Sequence, residues 1–228
     1  MKTNLVLLHG AIGSKAQLVP LEKLLNKQYN VFIFNFDGHG GRTTEKEYSI
    51  ELFADNCKQF MTKHHIQTAD IFGYSMGGYV ALKLARSHPY LVNRIVTLGT
   101  KFEWTISSAV QEVKMLNPNI IEEKIPAFAE HLNKIHAPED WKVVLKKTGI
   151  MMKNLGENNA LKKQDFKQIL NQVMIMVGDQ DQMVSVEESK SVSSVLPNSK
   201  FKLLEGVRHP IEKIDFINLS NILKKFFK

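Results

Sequence analysis

The chain has 228 residues, of which 43% are hydrophobic and 23% charged. That composition belongs to a globular fold and excludes a disordered, collagenous or coiled-coil chain. Lys and Arg number 30 against 23 Asp and Glu, for a net charge of +7, but they are scattered as singles and pairs such as Lys146-Lys147 and Lys224-Lys225. Without an Arg-rich tract, zinc-ligand spacing or an aromatic RNA-binding signature, solvated helix faces explain the charge, and nucleic acid is not an expected partner. No apolar run reaches the ~18 residues that span a bilayer. The opening run 5–8 stops at His9-Gly10, too short for a signal peptide. A single cysteine, Cys57, cannot close an internal disulfide, which fits a reducing cytoplasm.

In chain order, apolar runs at 5–8, 31–36, 69–72, 94–98, 173–177 and 200–204 predict six strands. The first five are nearly continuous, as strands buried on both faces should be, whereas Lys200, Phe201, Lys202 and Leu203 alternate as at a sheet edge. Amphipathic stretches at 16–26, 50–64, 76–87, 186–196 and 216–227 predict helices between and after them. This alternation is the pattern of an α/β fold with a parallel sheet covered on both faces. It breaks once, from 101 to 172, where only helical patterns occur (107–116, 120–135, 139–155 and 160–170), punctuated by Pro118, Pro126, Pro138 and Gly156. The expected organisation is a core domain of 1–100 and 173–228 with a helical lid of 101–172 inserted after the fourth strand.

Gly73-Tyr74-Ser75-Met76-Gly77 lies between an apolar strand and a helix start. G-x-S-x-G in that setting is a nucleophile elbow, with small residues where larger ones would strike neighbouring backbone. A serine hydroxyl needs a base oriented by an acid, and the chain order of this architecture is Ser, acid, His. Of His88, His131, His136 and His209, only His209 follows the last strand. Gly178-Asp179-Gln180-Asp181 follows the fifth, so Asp181 is the favoured acid, with Asp179 more suited to the turn and Glu103 a third candidate. Backbone N–H donors for an oxyanion are expected from Met76 and, in His9-Gly10-Ala11-Ile12-Gly13, from Ala11. His9 itself is read as packing this loop.

These motifs, in this order, resemble the α/β-hydrolase superfamily over the whole chain except the middle insertion. The resemblance implies Ser75 as nucleophile, Asp181 as acid, His209 as base, Ala11 and Met76 as oxyanion donors, and a six-stranded parallel core with 31–36 at one edge. Asn35-Phe36-Asp37-Gly38-His39-Gly40-Gly41-Arg42 resembles the family's Asp-x-x-Gly-His-Gly-x-Ser, with Asn35 and Arg42 replacing its ends. The chain begins at the strand carrying His9-Gly10, without the family's usual N-terminal hairpin.

Serine rather than aspartate at the elbow implies an acyl-enzyme, so hydrolysis of a small or medium carboxylic ester is the expected activity, with no metal or cofactor. The same machinery serves thioesters, lactones and carbon–carbon bonds beside a ketone. A binding protein that keeps the three residues and holds a ligand under a closed lid is the reading from another class. Ile12, Trp104, Met115, Phe128, Met152 and Val184 are the candidates to line an apolar substrate pocket.

Overall fold

The computed structural model describes residues 2–228. Its centre is an all-parallel sheet in the order β2-β1-β3-β4-β5-β6. The strands are β1 (Thr3–Leu8), β2 (Tyr29–Ile33), β3 (Ala69–Tyr74), β4 (Val92–Leu98), β5 (Gln172–Gly178) and β6 (Ser199–Leu204). Because side chains alternate along a strand, each strand feeds two cores. Val6, Leu8, Ile71, Ile95 and Ile175 pack on one face with Phe53, Met61, Val80 and Leu84 of α2 (Ile50–Lys63) and α3 (Met76–Ser87). Leu5, Leu7, Phe72, Val96 and Met176 face the other way, onto Leu21, Leu25, Leu219 and Leu223 of α1 (Val19–Leu25) and α10 (Phe216–Phe226). Burial on both faces is the reason the inner strands read as unbroken apolar runs. The alternating β6 lies at one edge and β2 at the other.

The edge position also shortens β2 relative to the expected 31–36. Among the described residues its only neighbour is β1, and their pairing ends at Leu7 with Ile33. Residues 34–36 then leave the ladder, and the Phe36 N–H donates to His9 Nε2 at 3.2 Å. The loop that follows shows what the replaced ends of its motif do. Asn35 accepts from the Lys15 N–H at 2.7 Å and donates to the Gly40 carbonyl at 2.7 Å. Arg42 pairs with Asp37 at 2.6 Å.

Five helices lie between β4 and β5: α4 (Ile106–Lys114), α5 (Pro118–Lys124), α6 (Pro126–His136), α7 (Trp141–Glu157) and the single turn α8 (Lys163–Phe166). The helical pattern 120–135 divides at Ile125, because Pro126 has no N–H to continue a helix but suits the first turn of a new one. Gly156 does not interrupt α7. A Cβ there would stand 2.8 Å from the Thr105 carbonyl oxygen and 2.9 Å from Ala109 Cβ, so glycine lets α7 and α4 approach closely. The remaining helix, α9 (Val186–Val195), carries Glu188, whose Oε1 accepts the Phe102 N–H and, at 2.7 Å, the Glu103 N–H. That carboxylate anchors the loop leaving β4. Among the described residues no helix is long and apolar enough to cross a membrane.

Candidate active site

The chain runs from β1 outward to β2, then returns to β3 on the other side of β1. In a parallel sheet such a reversal opens a crevice beyond the strand ends, and ligand sites form there. The loop after β1 carries Ala11 and the turn after β3 carries Ser75. Gly10 shows how tightly the two pack: a Cβ on it would stand 2.9 Å from the Tyr74 ring and 3.3 Å from Ser75 Cβ.

Ser75 has φ 51° and ψ −120°, a backbone conformation that L residues rarely adopt. The turn is pinned on both sides. The Ser75 N–H donates to the Leu98 carbonyl at 2.8 Å, and Thr100 Oγ1 donates to the Ser75 carbonyl at 2.9 Å. A side chain at Gly73 would collide with the Gly77 backbone, and one at Gly77 with the Leu8 carbonyl. The glycines of the motif are therefore steric requirements of the turn.

The structure brings Ser75, His209 and Asp181 together from the ends of β3, β6 and β5. His209 Nδ1 is 2.8 Å from Asp181 Oδ2, and His209 Nε2 is 3.2 Å from Ser75 Oγ. An ionised carboxylate only accepts, so Nδ1 carries the proton of a neutral imidazole and Nε2 is left to accept from the serine. Asp181 Oδ1 accepts the Met183 and Val184 N–H groups at 2.9 and 3.0 Å. Burial alone would raise the pKa of this carboxyl, but the hydrogen bond and charge of His209, with the two N–H donors, hold it below the usual value. Gly99, with φ +59°, lies beneath the pair; a Cβ would come 3.1 Å from Asp181 Oδ2. Tyr74 Oη donates to the His209 carbonyl at 3.0 Å and steadies the loop that presents the imidazole.

The alternative acids are placed elsewhere. Asp179 accepts the Gly206 N–H at 2.7 Å, a turn contact, and Glu103 is exposed. Met76 is the first residue of α3, so its N–H has no intrahelical acceptor, and with Ala11 it borders the same cavity as Ser75.

That cavity measures about 50 Å³. Of the sequence candidates, Trp104, Met152 and Val184 line it, together with Ile50, Tyr79, Lys101, Glu112, Met151, Leu155 and Met183. Three expected lining residues are elsewhere. Met115 is 54% exposed at the end of α4. Phe128 joins a separate cluster with Leu132, Trp141 and Leu145 inside the α5–α7 layer. Ile12 does not border the cavity but packs between that cluster and the main core, at φ 52°, with its carbonyl accepting from His136 Nε2 at 3.0 Å. Helical periodicity marks a face as buried but not which neighbour buries it. Lys101 and Glu112 escaped the sequence reading, although Glu112 shares the buried side of α4 with Ala109, where a charge is out of place. A larger groove of about 610 Å³ lies beyond Ile50, Met151 and Leu155, which border both spaces.

A second group of histidines supports the loop after β1. His9 Nδ1 donates to the Gly10 carbonyl at 2.8 Å, and His9 packs against Phe36 and His39. His136 Nδ1 accepts the Gly40 N–H at 3.1 Å, which leaves its Nε2 protonated for Ile12. Burial lowers the pKa of all three rings, His9 to about 4. Among the described residues no group of three or more His, Cys, Asp or Glu could hold a metal ion.

Residues 3–132 match the alpha/beta hydrolase fold family. A provisionally named carbamate hydrolase of Yersinia enterocolitica is 21% identical over 98% of this chain and 86% of its own. A provisionally named alcohol acetyltransferase of Saccharomyces cerevisiae is 30% identical over 41% of this chain, which spans only 29% of that protein's length. A solved serine hydrolase from Cycloclasticus zankles superposes with a TM-score of 0.83 at 17% identity, over 99% of this chain and 90% of its own. Family match, sheet order and the turn at Ser75 agree: this chain belongs to the alpha/beta hydrolase fold family.

Proposed function

We propose that this α/β-fold hydrolase is a serine esterase that cleaves small carboxylic esters through an acyl-enzyme. The observation that carries the reading is the unbroken hydrogen-bonded line from Ser75 Oγ through His209 to Asp181. Ser75 Oγ attacks the acyl carbon while His209 Nε2 takes its proton. Asp181 holds the resulting imidazolium, and its lowered pKa keeps it ionised for that task. The N–H groups of Ala11 and Met76 receive the negative charge on the acyl oxygen. The imidazolium then protonates the departing alcohol, and a water molecule activated by His209 releases the acid.

The stretch between β4 and β5 acts as the lid, because Trp104 from its first loop, Glu112 of α4, and Met151, Met152 and Leu155 of α7 wall the cavity at Ser75. A volume of about 50 Å³ favours a short acyl group. Thioesters and lactones present the same acyl carbon to the same atoms. The buried Cys57 thiol, which burial pushes up to about 12, is consistent with a cytoplasmic protein that carries no disulfide.

A fluorophosphonate should add once to the wild-type protein and not at all to Ser75→Ala, with hydrolysis of p-nitrophenyl acetate lost in parallel. Equal labelling of the two proteins in intact-mass spectra would remove Ser75 as the nucleophile.

A further inference from the structure

We propose that Lys101, Trp104 and Glu112 form a polar subsite that selects short acyl groups bearing a hydroxyl. The inference rests on acylation at Ser75 and adds the substrate class. All three residues line the cavity beside Ser75, whose other walls include Ile50, Met151 and Leu155. Glu112 is 8% exposed, with Oε1 3.5 Å from Lys101 Nζ. The ammonium also donates to the Met183 carbonyl at 3.2 Å and stands 5.8 Å from the centroid of the Trp104 ring. Glu112 Oε2 and Trp104 Nε1 are buried, and among the described residues neither has a hydrogen-bond partner.

One acceptor and one donor without partners, both on residues bordering one small cavity, are costly unless an occupant satisfies them. A plain alkyl chain satisfies neither. A carboxylate would meet the charge of Glu112, and an ammonium would meet that of Lys101. A hydroxyl fits both signs: its oxygen accepts from the Trp104 N–H or the Lys101 ammonium, and its hydrogen donates to Glu112 Oε2. A cavity of about 50 Å³ admits a few water-sized groups, enough for a short chain and one oxygen. The acyl portion is the part concerned, because the alcohol must leave while the acyl group stays on Ser75. An enclosed space suits the part that stays.

The test compares kcat/KM for p-nitrophenyl butyrate with that for the (R)- and (S)-3-hydroxybutyrates, which differ from it by one oxygen. The wild-type protein should favour one hydroxy ester at least tenfold. Glu112→Gln, which keeps the shape but removes the charge, and Trp104→Phe, which removes the N–H, should each shrink that ratio severalfold. If Glu112→Gln does not fold, the wild-type ratio and Trp104→Phe decide. Butyrate turned over as well as both hydroxy esters, or a preference untouched by either variant, would overturn the subsite and leave the Ser75 reading standing. Absence of turnover on all three esters, alike in wild type and Ser75→Ala, would overturn the acylation reading and the subsite with it.

Discussion

Ser75 holds a strained backbone because the surrounding residues fix it there: Leu98 and Thr100 bond its peptide groups, and Gly73 and Gly77, without side chains, let the turn close where a Cβ would collide. Strain of this kind persists only where neighbours over-determine it, and here it raises one hydroxyl toward His209. At the same scale, two aspartates two residues apart have different work. Asp181 receives the imidazole and two N–H groups, whereas Asp179 closes a turn to Gly206. Asp181→Asn should therefore lower kcat by about three to four orders of magnitude, because the amide no longer enforces the tautomer with a free Nε2. Asp179→Asn should change kcat by less than about tenfold, with only the ~1 kcal/mol expected of one turn hydrogen bond lost from stability. Steady-state kinetics on one aryl ester, with urea titrations of both variants, separates the two roles.

Among the elements, α7 does most to shape the cavity. It places Met151, Met152 and Leu155 on its walls, and the same helix packs closely on α4 through Gly156. Ile50, Met151 and Leu155 separate the small cavity from the larger groove. Leu155→Ala should open that wall and shift the acyl-chain optimum toward longer p-nitrophenyl esters, at a stability cost of about 2–5 kcal/mol. Met115→Ala, at the exposed position that caps the end of α4, should leave the chain-length profile unchanged. The comparison is kcat/KM for acyl chains of about two to twelve carbons, and an optimum unmoved in Leu155→Ala would mean this wall does not limit the chain. The element boundaries also show where sequence patterns lose resolution. Pro126 both ends and begins a helix, and the edge strand β2 stops when its single neighbour stops pairing, not when its apolar residues do.

At the scale of the whole molecule, the sheet keeps its chemistry at one end and a charged clamp at the other. Asp70, fully buried near the start of β3, accepts from Arg94 Nε and Nη2 at 3.0 and 2.8 Å and from Asn93 at 2.8 Å. Arg94 also donates to the Phe226 and Phe227 carbonyls, which ties the end of α10 to the sheet. Arg94→Ala should cost about 3–5 kcal/mol, since it leaves a buried carboxylate without its cation. Denaturant unfolding should show that loss, while kcat of the folded fraction stays unchanged because the clamp is remote from Ser75. The buried histidines set a pH dependence. His9 titrates near 6.5 when unfolded and near 4 when folded, chiefly because burial disfavours the charged ring. Between those values the unfolded chain takes up a proton that the folded one refuses. Stability should be complete above pH ~6.5 and fall as the pH drops toward 4, by on the order of 3 kcal/mol from His9 alone. His39 and His136 shift in the same direction and add to the loss. Urea midpoints between pH 7 and 4 measure it, and a flat profile would contradict the neutral, buried assignment of these rings.

Much of this protein was legible in its sequence because the information is local. Strands buried on both faces must be apolar throughout, an elbow must carry glycines at its flanks, and a base must follow the last strand. The six-stranded parallel core follows from such rules, and they also single out Ser75, His209 and Asp181, which the structure brings within hydrogen-bonding distance of one another. The cavity does not, because its walls come from segments distant in the chain. Met115, Phe128 and Met152 all sit at helical positions suited to burial, yet one is exposed, one joins a cluster within the helical layer and one faces Ser75. Periodicity specifies which side of a helix turns inward. Only the packing of α4, α7 and the loop leaving β4 decides what that side meets, and so sets Lys101, Glu112 and Trp104 around the space beside the serine.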